Sequence, residues 1–427
     1  MTIIQQNRHL LQWIRRWHLL LLLLTGCCTA TAQTKDSIAT VDVGDILHMI
    51  FKKKDGIPKA KKKPGAVILP SLGYNPSFGF IIGGKLSGSR QSGNPRNTGL
   101  SVFGLEFLYG TREITMLKAR HNVLTKENRW NLQGDWQVSK FGMVDYGLGT
   151  GNSAYRSNSF GIDIFPITNA DSAFPIKYIY IKLSEKVYRS IAPHWFAGAG
   201  LWFDIYTNID DVKAEDGQYT PHKVYSLYKD FDLKKYSMNG LLLAVQYNTR
   251  EHPIRSYGGI YADVSARFNQ RWLGSTKNSI QLMTDFRKYW SLSRRNPEHV
   301  LAIWNWAVYT LSGDLPYLAL PYTADDTYNR MGRAYTLGRF KGPSYCYFET
   351  EWRYPITRNK LISGVVFLNL QTASDGLQRK LFEYWEPGAG VGLRILFQKQ
   401  TRSTMCADIA RGRYGASGIF FGLNEVF

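Results

Sequence analysis

Apolar and polar residues alternate through most of this chain. From Phe348 to Ile356 the pattern is clean: Phe348, Thr350, Trp352, Tyr354 and Ile356 share one face, and Glu349, Glu351 and Arg353 share the other. A period of two means a β-strand with one greasy and one charged face. In a soluble sandwich the charged face meets water and the aromatic face the core. In a transmembrane barrel the aromatic face meets lipid and the charged face the lumen.

Segments of about ten residues, the length that spans a bilayer when tilted, repeat this alternation. They cover 78–86, 99–109, 112–122, 128–139, 174–188, 194–206, 237–250, 257–269, 277–292 and 300–312. After the strand around Glu349 come 360–371, 386–397, 401–412 and 417–427. Within 99–109, Phe103, Leu105, Phe107 and Tyr109 make one face. Within 386–397, Ala389, Val391, Leu393, Ile395 and Phe397 do so, opposite Gly388, Gly390, Gly392 and Arg394. Small inward residues are expected where something packs inside a barrel. No run beyond residue 32 is long and apolar enough for a membrane helix. The predicted fold class is all-β: a transmembrane antiparallel β-barrel. Single-chain bacterial barrels have even strand numbers, so sixteen strands are expected, with an unread one between Phe141 and Phe165. The long loops near 207–236 and 313–343 are expected on the extracellular side. The rival fold is a secreted array of β-sandwiches, which needs linkers between 140 and 300; none is visible.

Composition sharpens this picture only partly. The 26 Tyr, 22 Phe and 12 Trp suit the aromatic girdles of a membrane barrel, and also carbohydrate-binding or ordinary β-rich proteins. The net charge of +20 is spread over alternating strands and accompanies no nucleic-acid fold motif, so no nucleic-acid partner is expected. It suits lipopolysaccharide phosphates, outer-membrane lipids or an anion-preferring lumen.

Residues 1–32 read as a secretory signal: Arg15 and Arg16, the apolar run Leu19 to Leu24, and the small-residue site Ala30, Thr31, Ala32. A rival sits inside it. Leu24, Thr25, Gly26 and Cys27 resemble a lipobox, which would make Cys27 a lipidated N-terminus. Residues 33–65 read as a basic periplasmic segment. Val43 to Phe51 suits a short amphipathic helix, and the stretch after it holds seven lysines against one aspartate up to Lys63. Such a run does not pack into a core; it is a solvated tail or a contact for anionic lipid. The barrel is expected over 66–427.

Catalytic chemistry is not legible. There is no G-x-S-x-G elbow and no H-E-x-x-H. Gly79 to Lys85 approaches a phosphate loop but continues to Leu86 where Ser or Thr is required. Cys346 and Cys406 have no metal-ligand spacing. No enzyme activity, cofactor or metal is expected.

A family resemblance rests on four places. Arg333-Ala334-Tyr335, then Gly338-Arg339-Phe340 and an E-x-R-x-P-I strand at Glu351–Ile356, resembles the inward-folded loop and following strand of the BamA/TamA-like outer-membrane barrels, the bacterial surface antigen family. There the loop reads Arg-Gly-Phe or Arg-Gly-Tyr; here Ala334 replaces the glycine. Tyr74, Asn75 and Pro76 resemble the entry to the first strand, and Tyr247 to Glu251 resembles a strand end with Asn248 and Glu251 replacing aspartates. Phe367-Leu368-Asn369-Leu370-Gln371 is similar to the family's F-x-D-x-G, with Asn369 and Gln371 replacing its aspartate and glycine.

The resemblance implies a loop folded into the lumen, with Arg333 paired to a strand carboxylate. Asn369 being neutral, Glu351 or Glu349 is expected to receive Arg333, helped by Asn369, beside Tyr335, Arg353 and Phe367. It implies that Phe421, Leu423 and Phe427 form a C-terminal strand signal, and that a seam between 78–86 and 417–427 opens locally. It implies an outer-membrane location and a role in inserting or transporting proteins or lipids. Client outer-membrane proteins and periplasmic chaperones would be the partners. The segment before the barrel is too short for the periplasmic POTRA domains of fully equipped members. A passive pore or a surface or structural barrel is therefore the alternative.

Overall fold

The computed structural model describes residues 40–51, 66–75, 79–95, 97–111, 114–151, 174–377 and 379–427. The leader, Cys27 and the lysine run lie outside the described residues. The chain divides into two units, Met1–Ser37 with Arg294–Asn296 and Ile38–Ser293 with Pro297–Phe427. Of the first, only Arg294–Asn296 are described. The second carries the whole sheet.

The helix expected from the sequence forms as α1 (Val43–Phe51). A reciprocal cap starts it: Asp45 N donates to Asp42 Oδ1 at 2.9 Å, and Asp42 N to Asp45 Oδ2 at 3.1 Å. Lys399 ties this cap to a strand turn, its backbone N donating to Asp42 and its Nζ to Asp45.

Strands then follow as β1 (Ala66–Asn75), β2 (Gly79–Gln91), β3 (Leu100–Gly110), β4 (Ile114–Leu124), β5 (Trp130–Asp145), β6 (Phe174–Ala192) and β7 (Trp195–Asp211). Helices α2 (Val212–Glu215) and α3 (Pro221–Tyr228) lie in the next loop. The sheet continues with β8 (Tyr236–Asn248), β9 (Gly259–Asn269), β10 (Ser279–Ser291), β11 (Val300–Gly313) and β12 (Tyr345–Pro355). It ends with β13 (Ile362–Ala373), β14 (Glu386–Gln398), β15 (Ser403–Gly412) and β16 (Ser417–Leu423). Every strand pairs antiparallel with its sequence neighbour, in the single order β1 to β16. The longest connections, 146–173, 212–235 and 314–344, all leave the same end of the sheet.

Among the described residues, the strand unread in the sequence is β1, upstream of 78–86; of the stretch from Phe141 to Phe165, where one was expected, residues up to Asp145 extend β5. Strand β1 holds Pro70 opposite Gly84. Proline lacks a ladder donor and sits in sheets at edges, and β1 is an edge. Its short, proline-broken pattern hides it from a period-two reading. Tyr74 and Asn75 accordingly finish β1 instead of introducing a first strand. Residues 152–173 lie outside the described residues.

The alternation sorts as a membrane barrel requires. On β3, Phe103, Leu105, Phe107 and Tyr109 are exposed. On β14, Val391, Leu393 and Ile395 are exposed while Arg394 is buried. On β12, Trp352 faces out and Glu349, Glu351 and Arg353 are buried. Carboxylates and guanidinium groups inside, with apolar rings outside, invert the soluble pattern and match a lipid-facing wall around a polar lumen. The sheet curls until Ser87 and Ser89 of β2 share a narrow cleft with Ser403 of β15 and Leu423. Among the described residues, no ladder joins β1 to β16.

Candidate functional site: an arginine network inside the barrel

The connection from β11 to β12 fills one side of the interior. Its backbone turns through positive φ at Gly332 (78°), Ala334 (101°) and Gly338 (74°). Ala334 thus stands in a conformation that favours glycine, at the position where the resemblance also called for one. Gly338 and Gly388 lie where a side chain would meet its neighbours. A Cβ at Gly338 would strike Met143, and one at Gly388 would sit 2.9 Å from the Arg333 carbonyl.

Arg333 is the centre. Its guanidinium is 2 % exposed and its partners Glu349 and Glu351 are fully buried. Nη2 donates to Glu349 at 2.5 Å and also to Glu351, and Nη1 donates to Asp408 at 2.8 Å. The Phe367 ring lies 3.5 Å beneath it. A buried guanidinium persists only with such pairing. Burial opposes the Arg333 charge, but Glu349, Glu351 and Asp408 outweigh it and raise the group above its already high range.

The carboxylates pass the charge on. Glu351 accepts from Arg353 Nε at 2.7 Å, and Arg353 Nη2 donates to the Phe427 carbonyl at 2.9 Å. Asp408 accepts from Arg394 Nη1 at 2.5 Å, and Arg394 Nε donates to Glu425 at 2.8 Å. Arg255, in the β8–β9 turn, reaches Glu425 at 3.2 Å and Glu298 at 3.6 Å. Burial alone would raise Glu425; Arg394, Arg353 and Arg255 hold it well below the usual carboxylate range.

The inner face of β13 grips the same loop with three alternate residues. Phe367 carries the guanidinium. Asn369 Nδ2 donates to the Arg333 carbonyl at 3.0 Å, so Asn369 holds the loop backbone rather than the guanidinium. Gln371 accepts from Thr323 at 2.8 Å. Tyr335 donates to the Pro387 carbonyl at 2.6 Å, receives Arg413 N–H at 2.9 Å and meets Phe340 edge to face at 5.0 Å. Arg339 lies over Tyr146 at 4.3 Å. Gly338 N donates to the Thr323 carbonyl at 3.0 Å.

The residues after β16 turn inward. Asn424 has φ 72°. Arg330 of the loop donates to the carbonyls of Asn424 at 2.8 Å and Glu425 at 2.6 Å, and to that of Leu423. Phe421 is exposed, but Leu423 and Phe427 are buried. Phe427 packs on Trp304 at 5.3 Å and Tyr289 at 6.1 Å. The three aromatic and aliphatic residues of the expected strand signal therefore do not share one outward face, because Arg330 and Arg353 draw the last residues into the interior. The edge strands are β1 and β16, so the seam involves Ala66–Asn75 in place of 78–86.

Sequence reasoning missed Asp408, Arg394, Glu425, Arg255 and Arg330 as partners of this network. Asp408 had a signal: it is a lone carboxylate at an inward position of 401–412. Among the described residues no group of His, Cys, Asp or Glu is arranged to hold a metal.

No protein-family model and no curated protein sequence matches this chain. Its fold does match solved structures. BamA from Haemophilus ducreyi, in a form lacking POTRA domains 1–3, superposes with a TM-score of 0.51 at 14% identity, over 86% of this chain and 70% of that one. CdiB from Escherichia coli superposes with a TM-score of 0.51 at 8% identity, over 86% of this chain and 63% of that one. This chain thus spans less than two thirds of that CdiB chain. At such identities the likeness is one of fold, and the chain is a β-barrel of the BamA and CdiB type.

Proposed function

We propose that this barrel lies in a bacterial outer membrane and takes part in inserting or transporting proteins or lipids there. The carrying observation is a combination: the interior is occupied by a loop clamped at Arg333, while the sheet ends in two edges. A strand edge with unmatched N–H and C=O groups templates an incoming strand. Here β16 is only seven residues long, and residues 424–427 are withdrawn from its edge by Arg330 and Arg353. Local opening between β1 and β16 is the step such an arrangement supports, and it needs no nucleotide. Arg333 acts as a positioning residue: it fixes the loop that holds the last residues inward. Client outer-membrane proteins and periplasmic chaperones are the partners this reading requires.

A passive pore is the second reading, and the interior argues against it. The loop packs Tyr335, Phe340 and Met331 into one buried cluster with Trp304, Phe367 and Phe427, which leaves that side closed to ions.

The test is depletion of the protein followed by quantitative proteomics of the outer-membrane fraction, with rescue by wild type or Arg333→Ala. A fall in many unrelated barrels, restored by wild type and not by the variant, supports the proposal. An outer membrane altered only by the loss of this protein sinks it, and steady single-channel conductance would then favour the pore.

A further inference from the structure

The opposite side of the interior is not filled. A cavity of about 210 Å³ lies between the walls of β2 to β7 and the β11–β12 loop, reaching Phe421 on β16. Lys85 of β2, Lys118 of β4, Lys182 of β6 and Arg330 of the loop line it. Arg120 stands beside them, 2.7 Å from Glu106.

These cations are short of counter-charge. Glu106 is shared between Arg120 and Lys85, the latter at 3.9 Å. Asp135 is shared between Lys182 at 2.7 Å and Lys118 at 3.7 Å. Arg330 places three of its five guanidinium N–H donors on backbone carbonyls, which bring no counter-charge. Asp326 is taken up by the backbone N–H groups of Tyr328, Arg330 and Met331 at 2.7–3.0 Å. Asp325 has no comparable set of donors, and burial pushes its carboxyl up to about 8. Five basic side chains therefore face four carboxylates, Glu106, Asp135, Asp325 and Asp326. In a confined space this deficit is relieved by an anion. The Arg333 network shows the contrast, with four arginines facing five carboxylates.

The other wall is aromatic. The rings of Tyr180 and Tyr206 stack at 4.8 Å, and Tyr178 and Tyr322 also line the cavity. Phenol faces and hydroxyls suit the carrier of a charged group better than a bare ion.

We propose that this cavity binds a phosphate monoester carried on a small organic group, with Lys85, Lys118 and Arg330 receiving the phosphate and the tyrosine wall its carrier. The proposal does not depend on whether the barrel inserts proteins. The carrier is either a soluble sugar or a lipid whose headgroup enters past β16, and one experiment separates them.

The full-length barrel in zwitterionic detergent is titrated calorimetrically with glucose 1-phosphate, and with glucose as control. In parallel it is placed in phosphatidylcholine nanodiscs with or without phosphatidic acid, and retained lipid is counted by native mass spectrometry. Saturable binding of glucose 1-phosphate but not glucose assigns a soluble ligand; selective retention of phosphatidic acid alone assigns a lipid. Lys85→Gln and Lys118→Gln should each weaken the binding by about tenfold or more, the loss of one charge-assisted hydrogen bond. Melting temperature controls for folding. The Lys85 side chain is 19% exposed, so Lys85→Gln carries the test even if Lys118→Gln misfolds. Binding of neither probe by the wild type overturns the proposal. So does binding that Lys85→Gln, properly folded, leaves unchanged.

Discussion

The two sides of the barrel interior solve the same problem differently. Both bury many charges under the β11–β12 loop. On the β12–β15 side, four arginines and five carboxylates interlock, the distances are short, and aromatic rings close the gaps. On the β2–β7 side, five basic side chains share four carboxylates, and a cavity remains. Burying an ion costs several kcal/mol unless partners surround it. The first side is therefore built as a fixed support and the second retains room and charge for something else. The comparison teaches that lumenal charge is not one property of a barrel: its accounting, side by side, separates scaffold from site.

Arg333→Ala should break the first side most severely. It strands Glu349, Glu351 and Asp408 without their shared cation, and removing one partner of a buried pair costs about 3–5 kcal/mol. Thermal unfolding in detergent should show this, whereas Lys85→Gln across the interior should cost under about 1 kcal/mol, as partly exposed pairs do. Equal losses would show that the two sides do not differ as described.

Glu425→Gln comes next, with an expected loss of about 2–4 kcal/mol, because Arg394 is then left with Asp408 alone and Arg255 with Glu298 alone, at 3.6 Å. The pH dependence has a definite sign. A carboxylate held low in the folded state contributes its full stability above its unfolded value of about 4.3, and loses it as pH falls through the folded value. Wild type should therefore lose stability below pH ~4.3 more steeply than Glu425→Gln in melts taken across acid pH.

Ala334→Gly should gain about 1 kcal/mol by relieving a non-glycine residue at positive φ. A variant with an unchanged or lower melting temperature would mean that the Ala334 methyl contributes packing that outweighs the strain.

A further pH effect concerns the cavity side. Asp325 faces Lys182, Asp204, Asp326 and Lys118, and burial raises its carboxyl to about 8. The folded state then holds a proton that the unfolded chain gives up near pH 3.9, so stability declines as pH rises between these values. Asp325→Asn should remove that decline, giving a flatter melting profile from pH 5 to 8 and higher stability at pH 8. A slope identical to wild type would place the titration elsewhere.

Particular residues show what could be read in advance. The inward Glu349, Glu351 and Arg353 and the outward Trp352 follow from alternation alone. The positive φ of Ala334 was foreshadowed by the residue type the resemblance led one to expect there. By contrast, β1 was hidden by Pro70, which an edge tolerates and a pattern search rejects. Arg330 gave no signal, because its partners are backbone carbonyls that any sequence offers. Leu423 and Phe427 read as part of a C-terminal strand signal, but the structure turns them inward.

The sequence by itself determined which residues share a face of each strand, because a strand's side chains alternate whatever surrounds them. It thereby determined the class of fold and the strands that carry the buried charges. Only the tertiary structure decided which charges meet. Arg333 and Asp408 are 75 residues apart, and their pairing depends on the curl of the sheet, the path of the loop and the absence of a side chain at Gly388. Those are properties of packing between distant segments, and no local pattern encodes them.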